Sequence, residues 1–155
     1  MSIRREQIFD AVETRFKSIL KTGGYNTDLG TKVLKWRSFP SVREDEVPAL
    51  VIRDTNEEPE LIGIGKQQSE KRTLTIEYNI IQNGVDTDSL FESLRKGNAD
   101  IENAIRTDVK WSGYALYTKP KGNSMGLPEN NTSELIGVLS GSFEIIYQTE
   151  YFNPE

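Results

Sequence analysis

The sequence predicts an α+β fold of one domain, in which two helices pack on one face of a mostly antiparallel sheet of four to six strands. Two stretches carry apolar residues at helical spacing, and several shorter stretches alternate between polar and apolar residues as strands do. The predicted order is one helix, three or four strands, a second helix and two strands, and consecutive strands grouped in this way are typical of the α+β class. The length of 155 residues suits a single domain over residues 1–155.

The first helix is predicted over residues 4–20, where apolar residues recur at spacings of three and four. Its apolar face consists of Ile8, Phe9, Val12, Phe16, Ile19 and Leu20. We expect this helix to stop at Gly23 and Gly24, because glycine adopts the positive φ that commonly ends a helix. Residues 25–30 should then form a polar loop.

Strands are predicted at residues 32–38, 49–54 and 73–80, because each stretch holds β-branched or aromatic residues between turn signals. A short strand at residues 61–64 should form a hairpin with the third of them. The second begins with four consecutive apolar residues, which favours an interior strand covered on both sides. In the third, polar and apolar residues alternate strictly, so the core side should carry Leu74, Ile76, Tyr78 and Ile80.

The second helix is predicted to begin within residues 86–89 and to end near Ile105. Any of the four polar residues at its start can cap backbone N–H groups, and Ser89 and Glu92 also have the spacing of a capping box. Gly97 interrupts the helical pattern, so we expect a close packing contact or a local bend there.

The final strands are predicted near residues 111–118 and 135–149. The intervening connector, residues 120–132, is rich in Gly, Asn, Ser and Pro and is longer than a tight hairpin needs, so we expect a flexible arm or binding loop. In the last strand Leu139, Phe143, Ile145 and Tyr147 should share one face. Gly137 and Gly141 indicate a bulge or a strong twist in the same strand.

The composition excludes several classes of function. The chain contains no His and no Cys, which excludes imidazole triads, cysteine nucleophiles and thiolate metal sites. Its formal net charge of -5 argues against binding nucleic acid by neutralising phosphates. The charged N-terminus lacks the apolar core of a signal peptide, and no segment approaches the roughly 20 apolar residues that cross a bilayer. We therefore expect a cytoplasmic protein without a membrane partner.

Two acidic groups are candidates for metal-assisted chemistry: Glu44, Asp45 and Glu46 form one, and Asp54, Glu57, Glu58 and Glu60 form the other. Paired carboxylates can hold Mg²⁺ or assist hydrolysis. Because Pro48 and Pro59 lie beside them, we interpret both groups as solvated loops. We therefore expect no enzyme activity, no metal and no cofactor, and a metal-dependent hydrolase or nuclease is the less favoured alternative.

Residues that join protein surfaces are the remaining candidates, because Trp and Arg are enriched at interfaces. Trp36 with Arg37, and Trp111, fit this description, although core packing beside a salt bridge is the more frequent explanation for residues of this kind. The candidates for contacts with other subunits or with partner proteins are Trp36, Arg37, Glu44, Asp45, Glu46, Lys121, Asn123, Met125 and Leu127.

Seven segments, taken in order, resemble the tail terminator (tail completion) family, represented by the protein that caps the tail tube of lambda-like phages. They lie at residues 3–8, 23–25, 33–37, 46–52, 75–78, 100–105 and 141–149. The resemblance covers nearly the whole chain and rests on segment order and hydrophobicity.

The resemblance implies a structural virion protein that forms a ring, usually a hexamer, at the head-proximal end of the tail. There it would stop polymerisation of the tail tube protein and offer a surface to the head–tail connector protein, while DNA passes through its lumen. It would assemble in the host cytoplasm and remain in the virion tail. The alternative is another morphogenesis protein, such as a connector, a tail tube subunit or a baseplate component.

Overall fold

The computed structural model describes residues 3–36, 46–63, 69–126 and 135–150, and it confirms the α+β class. These residues form one five-stranded sheet and two α-helices, in the order α1 (Arg4–Lys17), β1 (Val33–Lys35), β2 (Ala49–Ile62), β3 (Ser69–Gly84), α2 (Thr87–Arg106), β4 (Tyr117–Met125) and β5 (Leu135–Glu150). Short 3₁₀ turns at Lys21–Gly23 and Leu29–Thr31 join α1 to β1.

The strands lie in the order β1-β2-β3-β5-β4. The short β1 is parallel to β2, and the other three pairs are antiparallel. Strand β2 is therefore an interior strand where it pairs with β1, and its first four residues are all buried, as the sequence predicts. The two outer strands, β1 and β4, lie at opposite edges of the sheet.

Both helices pack on the same face of the sheet, as predicted. Val12 and Phe16 of α1 and Leu94 of α2 belong to the same buried cluster as Ile76 and Ile80 of β3. That cluster also contains the predicted core side of the last strand, namely Leu139, Phe143, Ile145 and Tyr147. Side chains spaced by two residues share one side of a strand, so a single apolar layer holds the helices to the sheet.

The centre of this layer is aromatic. The fully buried Trp111 ring stacks on Phe143 with 6.0 Å between ring centroids, and Phe16 meets both rings edge-on. The Arg15 guanidinium lies 3.8 Å from the Trp111 ring centroid, in a cation–π contact. Trp111 is thus a core residue beside a charged side chain, which confirms the packing interpretation of this residue.

Two glycines allow close approach between elements. A Cβ at Gly97 would lie 3.1 Å from Leu29 Cδ1 and 3.3 Å from Ile80 Cγ2, so the predicted packing contact exists and α2 continues past it. A Cβ at Gly141 would lie within 2.4 Å of the Tyr78 ring. Of the two features predicted for the last strand, a bulge or a strong twist, the bulge is absent from the β3–β5 pairing, which is continuous. Gly141 instead accommodates the Tyr78 side chain from β3.

The boundaries of several elements differ from the prediction. The first helix ends at Lys17 and is followed by a 3₁₀ turn, and Gly24 then takes the expected positive φ of 93°. The strand predicted at residues 32–38 is described only over Val33–Lys35, because Trp36 has a φ of 58° and leaves the extended conformation. Asp86 is the cap of α2 and accepts from the Ser89 backbone N–H at 2.8 Å, so the capping box predicted at Ser89 is wrong.

The separate strands predicted at residues 49–54 and 61–64 are one strand, β2, because a bulge at Asp54/Asn56 lets the pairing with β3 continue past Pro59. The strand predicted at residues 111–118 instead begins at Tyr117 and occupies the first part of the predicted connector. Consecutive positive φ values at Trp111, Ser112 and Gly113 prevent an extended start. Residues 127–132 of that connector lie outside the described residues.

A buried carboxylate fixes the loop between α1 and β1 to α2. Asp100 is fully buried and accepts four hydrogen bonds, from the backbone N–H and side chain of Asn26 and of Thr27, at 2.6–3.1 Å. Every bond comes from the adjacent pair of loop residues, so one side chain of α2 sets the position of this loop. The loop in turn leads to β1 at the sheet edge.

Candidate assembly surface

Trp36 directly follows β1 at one edge of the sheet, and 56% of its surface is exposed, so core packing is the wrong interpretation of this residue. Its backbone N–H donates to Ile52 O at 3.0 Å, which ties it to β2. The indole Nε1–H donates to Asp54 Oδ1 at 2.9 Å. Because hydrogen bonds already hold both its backbone and its indole N–H, this exposed ring loses little conformational entropy when it binds another protein. This favours a role in protein contacts.

Asp54 is held in turn by Arg5 of α1. Arg5 Nε lies 2.7 Å from Asp54 Oδ2, and Arg5 Nη2 donates to Asp54 O at 3.1 Å. Burial disfavours the charge on Arg5, but the hydrogen bond to Asp54 and the charges of Asp54 and Glu57 outweigh it and raise the pKa of Arg5. The start of α1 is thereby fixed to the strand that orients Trp36.

Further ion pairs and a hydrogen bond connect Arg5 to side chains of β2, β3 and β5. Arg5 Nη1 lies 3.6 Å from Glu57 Oε2, while Arg72 lies 2.5 Å from both Glu57 Oε1 and Glu70 Oε1. Tyr147 donates its hydroxyl to Glu57 Oε2 at 2.8 Å. Burial and this bond raise the pKa of Tyr147, so the hydroxyl remains a donor. Linked charges of this kind hold neighbouring strands in one arrangement.

Replacing Asp54 with Ala is expected to release the Trp36 indole and to lower the free energy of unfolding by about 1–2 kcal/mol. The substitution removes the acceptor for Trp36 Nε1 and a charged partner of Arg5. Hydrogen exchange of the two indole N–H groups, followed by NMR, measures the first effect. Exchange at Trp36 should become faster.

Trp111 serves as the internal control, because its Nε1–H donates to Thr118 Oγ1 at 2.8 Å within the core. Its exchange should not change in the Asp54→Ala protein. A matched substitution at the exposed Asp10 of α1 should leave both indoles as they are. Equal exchange at Trp36 with and without the Asp54 carboxylate would contradict the proposed orienting role.

The opposite edge of the sheet is β4, which is exposed along most of its length. It carries three of the predicted interface residues, Lys121, Asn123 and Met125, and it begins with the exposed Tyr117. Lys71 Nζ lies 5.5 Å from the Tyr117 ring centroid, and Lys121 Nζ lies 3.9 Å from Glu144 Oε1. Long side chains therefore project from this edge beside an aromatic ring.

No family model matches this chain, and no curated protein matches it. No helix within the described ranges has both the length and the apolar character needed to span a bilayer. Among the same residues, no group of three or more Asp, Glu, His or Cys side chains is placed to hold a metal ion.

The structure places the predicted interface residues on two separate edges. Trp36 lies at the β1 edge and the β4 residues lie across the sheet, so they do not form one site in a single molecule. Glu46 is described and partly buried just before β2. Four predicted candidates lie outside the described residues: Arg37, Glu44, Asp45 and Leu127.

The second acidic group is not a loop. Asp54, Glu57, Glu58 and Glu60 all lie in β2, which extends well beyond β1. Asp54 and Glu57 point toward Arg5, while Glu58 and Glu60 are exposed. The sequence interpretation gave too much weight to Pro59, since an outer strand tolerates proline.

A shallow polar cleft of about 420 Å³ lies on the sheet face opposite the helices. Its lining includes Arg53, Glu77, Asn79, Ser140 and Ser142. Arg53 Nη2 lies 3.7 Å from Glu77 Oε2, so the charges in the cleft are paired.

Proposed function

We propose that this chain is a structural protein of a phage tail that forms a ring at the head-proximal end and stops polymerisation of the tail tube. The observation that carries the proposal is the presence of exposed large apolar side chains along both outer edges of one sheet. Trp36 and Leu61 lie on one side, and Leu116, Tyr117 and Met125 lie on the other. Exposed apolar residues grouped at edges are typical of surfaces that other protein covers.

The arrangement of the two edges favours a ring. A contact between different surfaces of identical subunits is heterologous, and it closes when the rotation between neighbours divides a full turn. Both edges belong to one sheet that packs on the same helices, so their relative orientation is fixed. Each subunit would therefore place its neighbour at the same rotation. The segment resemblance to tail terminators supports the same arrangement and adds a hexamer as the expected ring.

The partners follow from this role. One end of the ring would bind the last tail tube subunits, and the other would present a surface to the head–tail connector protein. The formal charge of -5 suits a lumen through which DNA passes without adhering. The protein would work without a cofactor, first in the host cytoplasm and then in the virion tail.

The test is a tube growth assay with the tail tube protein encoded in the same genome. Purified chain added to growing tubes should bind to one end and stop elongation, so that the mean tube length falls as the amount of chain rises. Electron microscopy of the tubes measures both effects. Tubes that grow to the same length with and without the chain, and carry none of it at their ends, would contradict the proposal.

A further inference from the structure

The two free edges of the sheet differ in charge. On one side β1 pairs with β2 only as far as Ile52, so β2 from Asp54 to Ile62 has an open side among the described residues. On the other side β4 is open along its whole length among those residues. Within the described residues, each of these stretches has one side without a neighbouring strand.

The first open stretch, together with Trp36, is here called the acidic edge. It carries the exposed carboxylates Glu58 and Glu60 and the exposed apolar Leu61. Trp36 lies beside it, oriented by Asp54. The carboxylates attract Lys ammonium groups through charge, and the exposed Trp36 ring offers a separate cation–π contact on the same edge.

The β4 strand is here called the basic edge. It carries exposed Lys119 and Lys121 and contains neither Asp nor Glu, while Lys121 Nζ lies 3.9 Å from Glu144 Oε1 of β5. Tyr117 and Met125, both 43% exposed, lie at its two ends. The two lysines are opposite in charge to the two exposed carboxylates of the acidic edge. The exposed Tyr117 and Met125 are the counterparts of the exposed Leu61 and Trp36.

Both edges are unsuited to joining as a continuous sheet. The acidic edge contains Pro59 and the bulge at Asp54/Asn56, and the basic edge contains Pro120 and the bulge at Pro120/Gly122. Prolines and bulges in outer strands prevent the unlimited pairing of strands that leads to aggregation. Contact between these edges therefore depends on side chains, and its specificity comes from their charges.

We propose that the acidic edge of one copy of this chain binds the basic edge of the next copy. The inference deepens the ring function proposed above and rests on it for its biological setting. In this contact Glu58 and Glu60 meet Lys119 and Lys121 of the neighbouring copy. Because the edges lie on opposite sides of the sheet, the contact repeats in one direction around the ring. Two acidic edges, or two basic edges, would repel each other, so the incorrect pairing is disfavoured.

Two reciprocal variants test the pairing. The first, Glu58→Lys/Glu60→Lys, has two basic edges, and the second, Lys119→Glu/Lys121→Glu, has two acidic edges. Each variant alone should associate at least about a hundredfold more weakly than the wild type in sedimentation velocity, because like charges then face each other. The substituted side chains are exposed, and circular dichroism checks that each variant folds.

Mixing the variants at equal concentration should restore association. Each junction would then join an acidic edge to a basic edge, with the two variants alternating. A chain that carries all four substitutions should also associate alone, because both of its edges have exchanged sign. The control, Glu6→Lys/Glu92→Lys, changes the net charge as much as the first variant does, at exposed helix positions, and should associate like the wild type.

Three outcomes would overturn the inference: a wild type that stays monomeric at all concentrations, reciprocal variants that associate normally when alone, or a mixture that remains dissociated. The tube growth assay separates these failures from failure of the proposed function. If the wild type stops tubes and the reciprocal variants stop them equally well, the function stands and the edge pairing is wrong. If edge pairing occurs but tubes are unaffected, the pairing stands and the function is wrong.

Discussion

Replacing Trp111 with Ala is expected to lower the free energy of unfolding by about 3–5 kcal/mol, as deletion of a large buried aromatic side chain commonly does. The ring is fully buried and packs against Phe143, Phe16 and Arg15. The substitution would leave a cavity between α1 and β5, and would remove the Nε1–H bond to Thr118. Trp111→Phe should cost less, because a smaller ring can still stack on Phe143.

Urea denaturation followed by far-UV circular dichroism measures the effect without relying on Trp fluorescence. The matched control is Trp36→Ala, because the chain contains two Trp residues and the other one is exposed. Its free energy of unfolding should fall by less than about 1 kcal/mol, as expected for a surface position. Equal losses in the two variants would contradict the assignment of one Trp to the core and the other to a contact surface.

Replacing Asp100 with Ala is expected to lower the free energy of unfolding by about 2–4 kcal/mol. The carboxylate is fully buried and accepts all four hydrogen bonds that hold Asn26 and Thr27 to α2. Without it, two backbone N–H groups and two side chains lose their acceptor. Asp100→Asn should cost less, because one oxygen can still accept from this loop.

Hydrogen exchange read by mass spectrometry shows where the Asp100 effect is located. Protection at residues 25–31 should fall more than protection in β3, which pairs with strands on both sides. The matched control is Asp88→Ala at an exposed position in the first turn of α2, which should leave the loop protected. A loop whose exchange does not change in Asp100→Ala would contradict the anchoring role.

The interior of the fold could be predicted from the sequence because its residues follow one clear period. The strict alternation at residues 73–80 and the apolar run from Ala49 to Ile52 give β3 and the start of β2 directly. The apolar stripe of α2 likewise fixes the face of the helix that meets the sheet. In these elements local pattern and tertiary packing favour the same structure.

The edges could not be predicted in the same way, because an outer strand needs no apolar alternation. The segment from Tyr117 to Met125 contains Pro, Gly, Asn and Ser, which are typical of loops, and it becomes a strand only by pairing with β5. The strand containing Glu58, Pro59 and Glu60 is similar, since its pairing with β3 overrides local preference. Both of these segments were predicted to be loops, and both belong to the edges that we propose bind another copy of the chain.

Long-range polar contacts could not be predicted from the sequence either. Asp100 occupies an apolar position of α2, between Gly97 and Ala104, and this position indicates a buried acid with satisfied hydrogen bonds. Its partners lie 73 and 74 residues earlier in the chain, in a loop with no distinguishing pattern. The Arg5–Asp54 pair spans 49 residues and was missed for the same reason.

The central claim is that this protein acts through contacts between copies of itself, and native mass spectrometry over a wide range of concentrations tests it most directly. The account predicts that monomers give way to one closed assembly with a fixed number of subunits, six if the family resemblance holds. Monomers alone at every concentration would contradict it. A continuous series of masses that grows without limit would contradict ring closure.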